Sequence, residues 1–557
     1  MFGSLEFGSS GAPRRPGFGW SCALGLLLVW GLAPGPATAA GAGGDKAAEQ
    51  EKHTEHGEDE HGEGEHGESG KDGHDQDGHG KDGHGKDGHG KDGHDQDGHS
   101  KDGHGDGKGH GKGGHGHSSR LTDEVIPLAI DTMPERPKPL VELGEPFLGT
   151  GTLDPGFELP TGAVWQPSLL VFGTLRTALQ SFEPDTGPSG RITELTTRLD
   201  LFANLQLSGS ERLVVGVRAL DGNNGFTSYF VEHPDPSVDG EFFDEIDADI
   251  EVLFFEGDFG EIFPNISRDD FGATDIGFSV GRQDLLFQEG MLINDVIDGI
   301  GLTRNTLLPG NSSNFRATLF YGWGDIDTSL NAERDAELLA LLTSTDLPAT
   351  TMDADIAYLM SDDPAVSDLV AAGVSFVQRI GRTNSSFRLL GSMATDDETP
   401  FATDGLLLFN ELSWVPHGTH DLVYFNSFWA MDEYTPIARG VGGVAAGPLG
   451  RAGINFAPVG LGSFDAALSS AARDVAGGAV GYQRFFDQTR KQVLAELGFR
   501  FGTDNSVPDS YAATVRYQAA IGRRLVAVVD GFYGYREIFG GGSETPYGGR
   551  LELVVKF

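Results

Sequence analysis

The sequence predicts an all-β chain: a transmembrane antiparallel β-barrel of about 16 strands, or 18 if two further segments join the wall, preceded by a disordered arm. Three observations predict it. Residues 1–40 have the layout of an export signal; aromatic-rich segments from residue 166 onward alternate apolar and polar positions; and the last of these segments ends on Phe557.

In the leader, Arg14 and Arg15 precede the apolar run Ser21–Ala33, and Ala37-Thr38-Ala39 offers small residues for cleavage, so residues 1–40 read as a cleaved signal peptide. Such a run falls short of the roughly 20 residues that a spanning helix needs. The single cysteine, Cys22, lies inside the leader, so the exported remainder has neither disulfide nor thiolate ligand. No later stretch approaches 18 consecutive apolar residues, which excludes helical spans but not strands, whose hydrophobicity alternates. A net charge of −43 argues against nucleic acid, whose phosphates attract basic surfaces, and makes cations the natural mobile partners.

Residues 41–117 are dominated by Gly, His, Asp, Glu and Lys, bury too little apolar surface to offset ordering, and are expected to be disordered. Fourteen of the 17 histidines fall here: His53, His56, His61, His66, His74, His79, His84, His89, His94, His99, His104, His110, His115 and His117. From His74 to His104 they recur every five residues, a step that matches neither helix nor strand, so no preformed face presents the imidazoles. Chain wrapping is needed, which predicts many weak, exchangeable sites for divalent transition metals such as Zn or Ni, with no cofactor required. The alternative is a solvating spacer, or an arm that gains charge in mild acid.

Residues 118–165, with Pro137-Lys138-Pro139 and Leu153-Asp154-Pro155-Gly156, read as a Pro- and Gly-rich linker into a barrel spanning 166–557. Leu195, Leu199, Leu201, Ala203, Leu205 and Leu207 share one face of a strand whose other face carries Arg198, Asp200, Asn204 and Gln206. Val493–Phe501 splits in the same way, with Gln492, Glu496 and Arg500 on the polar side. A soluble sandwich alternates too. The last segment discriminates: Leu551, Leu553, Val555 and Phe557 stand opposite Arg550, Glu552 and Lys556, and this resembles the C-terminal insertion signal of bacterial outer-membrane barrels. That resemblance implies the outer membrane, its lipid and the barrel-assembly machinery as surroundings.

Strands are expected near 166–182, 191–207, 211–221, 248–258, 274–284, 297–307, 313–324, 370–380, 384–395, 403–415, 419–431, 475–487, 490–503, 509–521, 523–536 and 547–557. Short polar turns then alternate with longer loops, the connection 259–273 being long for a turn. Eighteen strands follow if 225–233 and 353–361 pair into the wall. Either count encloses a lumen, because side chains fill the interior only near eight strands.

Two excursions are strongly acidic. Residues 325–368 carry Asp325, Asp327, Glu333, Asp335, Glu337, Asp346, Asp353 and Asp355 against a single Arg334, and Glu333–Leu342 has the composition of a short helix. They are expected to form a constriction loop whose carboxylates line the pore and favour cations. Residues 222–247 are acidic as well. The segment Val280-Gly281-Arg282-Gln283-Asp284-Leu285-Leu286-Phe287-Gln288-Glu289-Gly290, followed by Asp298-Gly299, resembles a stretch of alginate-export and related porin-like barrels. The resemblance implies a diffusion channel, with Arg282 either lining the pore or bracing a strand.

Outside the arm only His233, His417 and His420 exist, too few and too scattered for a nucleophile, base and orienter, so no enzyme is expected. The expected protein is therefore a passive pore for small solutes with a metal-binding arm, and oligomers are compatible with it. The alternative is a barrel with a plugged lumen that anchors a metal- or partner-binding arm.

Overall fold

A computed structural model describes residues 137–557 except 145–154, 184–189, 223–224, 247–248, 267–271, 273, 329–335, 362–365, 397, 441–446, 505 and 539–540. The leader, the histidine arm and the linker up to 136 lie outside the described residues.

Eighteen antiparallel strands close into one barrel. They are β1 (Ser168–Glu183), β2 (Ile192–Gln206), β3 (Arg212–Arg218), β4 (Asp249–Asp258), β5 (Gly277–Phe287) and β6 (Ile293–Leu307). There follow β7 (Asn314–Gly324), β8 (Ala336–Asp346), β9 (Thr350–Ser361), β10 (Leu369–Ile380), β11 (Thr383–Ala394) and β12 (Gly405–Trp414). The wall is completed by β13 (Leu422–Glu433), β14 (Arg473–Phe486), β15 (Lys491–Gly502), β16 (Ser510–Ile521), β17 (Leu525–Glu537) and β18 (Tyr547–Lys556). Each strand pairs with the next in sequence, and β18 closes on β1 from Tyr547↔Glu183 to Lys556↔Thr174. Phe557 carries the seam one residue further, exchanging backbone hydrogen bonds of 3.1 and 2.8 Å with Gly173. Closure leaves no sheet edge, the condition for a sheet to span lipid.

The two faces of the wall separate a membrane barrel from a soluble sandwich. Leu179, Leu195, Leu497, Val515, Val529, Leu551 and Leu553 are 44–58% exposed on the outside. Their neighbours of opposite parity, Gln180, Glu194, Glu496, Thr514, Asp530 and Glu552, are at most 6% exposed inside. Apolar residues outward and charged residues inward invert a soluble protein and match a lipid-facing wall. Among the described residues no helix is long and apolar enough to cross a membrane.

One end of the barrel carries the short turns 207–211, 308–313, 347–349, 381–382, 415–421, 487–490 and 522–524, and both the start of β1 and Phe557 lie there. The exception is 259–276, which opens with the helix α1 (Phe259–Ile262), capped by Asp258 accepting from Gly260 and Glu261 N–H. At this same end the segment Val141–Leu143 pairs with β1. The opposite end carries the longer loops, of which 434–472 is the longest.

All sixteen expected strands are present. The correction concerns 325–368, which is not a constriction loop: β8 and β9 lie within it as a wall hairpin, and Glu337–Leu342, expected to be helical, is extended. The physical reason lies in β8, where Leu339 and Leu341 face outward while Leu338, Ala340 and Leu342 are buried inside. Apolar on both faces, and rich in Ala, Leu and Glu, the segment has no two-residue alternation to distinguish it from a helix. The other suggested wall segment, Gly225–Glu232, adds to β2 only at Thr193–Thr197, beyond the end of the seven-residue β3.

Candidate functional site: a loop across the lumen

In the half nearer the longer loops the inner wall of β8–β12 is apolar, with Leu338, Leu359, Leu369, Leu390, Leu407 and Phe409 each at most 1% exposed. What covers it is the loop 434–472, which leaves β13, turns into the lumen and returns to β14. Phe456 of the loop packs edge-on against Phe428 at 5.4 Å between ring centroids.

The loop reaches the wall in two directions. Toward β6, the Tyr434 hydroxyl donates to Met291 O (2.9 Å) and Ile437 N–H to Leu292 O (3.0 Å). Ala438–Arg439 then pair in parallel with Ile293–Asn294. The Arg439 guanidinium donates to Gly290 O, and burial pulls its pKa down to about 10 against the opposing influence of Tyr434 and Asp295. Nearer β12, Arg451 bonds Glu411 at 2.9 Å and lies 3.5 Å from Glu289.

In the other direction the loop is held by two buried carboxylates of the wall. Glu496 on β15 accepts from Ile454 N–H (3.0 Å), Asn455 N–H (2.8 Å), the Asn455 side-chain amide (2.8 Å) and the Tyr424 hydroxyl. Glu194 on β2 accepts from Ser463 N–H (2.6 Å) and the Gln180 amide (2.7 Å), while the same amide donates to Leu461 O (3.0 Å). Gly462 sits between these contacts at φ +62°, where a Cβ would stand 2.8 Å from Thr196 Cγ2. Backbone conformation and space both call for glycine there.

Between the two anchors the loop crosses in front of an arginine row. Arg176 donates to Val459 O (3.0 Å) and Gly460 O (3.2 Å), and Arg198 donates to Gly460 O (3.1 Å). On the short-turn side of this crossing lies a cavity of about 330 Å³ lined by Arg176, Arg516, Arg550, Lys556 and Glu552, with Val526, Val528 and Val554 as its apolar floor. Arg516 pairs with Asp530 at 2.7 Å, Arg550 with Asp530 and Glu552 at 2.5 Å each, and Arg176 with Glu552 at 2.6 Å. Four cationic side chains thus stand with two carboxylates, an excess of positive charge on this stretch of the inner wall.

The residues expected to line the pore are dispersed. Asp353 and Asp355 do face the lumen, accepting from Ser375 Oγ (3.0 Å) and from Gln288 (2.7 Å). Arg282 does not: it shares a face with exposed Val280 and Leu286, on the outer side, and bonds Asp298 (3.0 Å) and Asp325 (3.1 Å). Glu337 also faces outward, beside Tyr321, and Asp346 caps the 347–349 turn by accepting from Thr351 (2.8 Å). Asp327 supports the loop through backbone bonds to Arg439 and Asp295, and Glu333 and Asp335 lie outside the described residues. His233 sits in the 219–248 loop and His417 and His420 in the 415–421 turn, at opposite ends of the barrel. The loop itself escaped the sequence reading. Its signal was the distance from 431 to 475 between expected strands, far beyond a usual connection.

A closed, inside-polar barrel with a loop latched across its lumen is the architecture of a porin-type transmembrane protein. No family model and no curated protein matches the chain. Among solved structures, a BenF-like porin from Pseudomonas fluorescens Pf-5 aligns at 9% identity over 70% of this chain and 98% of that one, with a TM-score of 0.50. Pseudomonas aeruginosa OccK2 (OpdF) aligns at 10% identity over 70% and 97%, TM-score 0.48. Acinetobacter baumannii OccAB3 aligns at 11% identity over 70% and 99%, TM-score 0.45. The chain has the outer-membrane porin fold.

Proposed function

We propose that the protein is a passive outer-membrane pore for small solutes, exported through its leader and inserted through the terminal strand that carries Leu551, Leu553, Val555 and Phe557. The observation that carries this reading is a closed 18-strand wall whose polar inner face meets a loop at an arginine-lined cavity. Of the acidic residues expected to favour cations, the described ones lie on wall strands or beside their ends, and the cavity under the loop is lined by Arg176, Arg516, Arg550 and Lys556. We therefore read the pore as favouring small organic anions, whose charge suits the guanidinium groups and whose carbon skeleton suits Val526, Val528 and Val554. The histidine arm supplies weak, exchangeable binding of zinc or nickel, a role supported by its composition.

One observation favours a second reading, a plugged barrel that anchors the arm: the loop is bonded to the wall at β2, at β15 and at β6 and so crosses the lumen. Single-channel recording of the refolded protein in planar bilayers across a salt gradient separates the two. A steady current with an anion-selective reversal potential supports the pore, and a change on adding zinc supports the metal-linked arm. Absence of current from correctly folded barrels overturns the pore in favour of the anchor.

A further inference from the structure

Glu211 ends the turn between β2 and β3, and its carboxylate has no place in the loop architecture above. The residue is 1% exposed, and neither Oε1 nor Oε2 accepts a hydrogen bond from another residue, the nearby donor being its own backbone N–H. The hydroxyl of the adjacent Ser210 is buried without a partner as well. An ionised carboxylate cannot be left in that state, because burying an unpaired charge costs far more than a fold can offset. Something must neutralise it.

The surroundings indicate what. Glu211 Cγ lies 3.2 Å from where a Cβ on Gly257 would stand, so its side chain runs against the end of β4 next to Asp258. Glu261 Oε2 lies 3.5 Å from the equivalent point on Gly209, over the same turn. The charges acting on Glu211 are those of Glu261 and Asp258, both repulsive. The neighbouring Arg212 is engaged by Glu256 across the β3–β4 ladder. A proton would neutralise Glu211 alone and leave the buried Ser210 hydroxyl without a partner, Asp258 being already bonded to the α1 amides and Glu261 exposed. A divalent cation would answer both Glu211 and Ser210, and a donor set made only of oxygen suits a hard ion.

We propose that a hard divalent cation, calcium in the first instance, binds at the short-turn end of the barrel and ties the β2–β3 turn to the β4–β5 connection through Glu211, Ser210, Asp258 and Glu261. Asp258 caps α1 through Oδ1, which leaves Oδ2 for the ion. Among the described residues no three acidic, histidine or cysteine groups stand in a finished cage. The exposed Glu261 completes the set by turning its side chain inward as the ion binds. Zinc, by contrast, belongs with imidazole ligands, so the two metals separate this site from the histidine arm.

The test uses the full-length refolded protein in detergent, stripped with EDTA and then given calcium chloride, beside the near-isosteric variant Glu211→Gln. Calcium is expected to raise the unfolding temperature of the wild type by about 2–4 °C and that of the variant not at all. Titration calorimetry should show one calcium site fewer in Glu211→Gln. An equal calcium response in both proteins would place binding elsewhere, in the acidic arm for instance, and overturn the proposal. No response in the wild type, with a variant more stable at neutral pH than at pH 5 relative to it, would make the occupant a proton and overturn it equally.

Discussion

Replacing Glu496 with alanine removes the wall's grip on the middle of the 434–472 loop. Glu496 is 2% exposed and accepts two backbone N–H groups at 3.0 and 2.8 Å, the Asn455 amide at 2.8 Å and the Tyr424 hydroxyl. Hydrogen bonds to a charged acceptor contribute about 1.5–3 kcal/mol each, and their loss leaves donors buried without partners. The bonds share one carboxylate and are not additive, so a local loss of about 3 kcal/mol is a conservative figure. That corresponds to roughly a 150-fold shift toward a loop detached at residues 453–456. The barrel wall does not depend on this contact and should keep its unfolding temperature. Hydrogen exchange resolved to 453–456 and single-channel recording read the result: faster exchange there, with larger and noisier conductance. Gln in place of Glu keeps one acceptor oxygen and should fall between the two. Unchanged protection and unchanged current in Glu496→Ala would show that apolar packing of Phe456 and its neighbours holds the loop by itself, and refute the assignment of Glu496 as the anchor.

Two further outcomes follow from the same geometry. Arg516→Ala leaves Asp530 with Arg550 alone, so the reversal potential across a salt gradient should move toward cation selectivity, and the double variant with Arg176→Ala should move it further; a potential unaffected by both would place the selective region elsewhere. Leu551→Arg puts a charge on the lipid face and should destabilise the barrel in bilayers by about 2–4 kcal/mol if the position lies near mid-membrane, as read by urea unfolding. Leu551→Val should stay within about 1.5 kcal/mol of wild type, and equal stability of all three would contradict the assignment of this face to lipid.

The barrel was legible in the sequence because a transmembrane strand writes its two environments into every second residue. In the terminal segment, Leu551 and Leu553 face lipid while Arg550 and Glu552 face the lumen, so the order of residues alone separates the faces. Parity of the connections also survived, since the two strands outside the sixteen, β8 and the β9 suggested as 353–361, form one hairpin and their omission leaves every other turn on its proper side. That hairpin was illegible for a tertiary reason: Leu338, Ala340 and Leu342 are apolar because the 434–472 loop covers them, and nothing local in 336–346 announces a cover that arrives from a hundred residues away.

The same separation governs the site. Composition assigned the chain a strong negative charge, and the acidic run 325–368 looked like the natural pore lining. Only closure of the barrel brings Arg516, Arg550 and Arg176 from β16, β18 and β1 onto one stretch of wall, across a seam that joins the two ends of the domain. Alternation is a property of neighbouring residues and is therefore determined by sequence by itself. The field inside the lumen depends on which strands meet and where a loop crosses them, and those are long-range contacts that only the folded barrel decides.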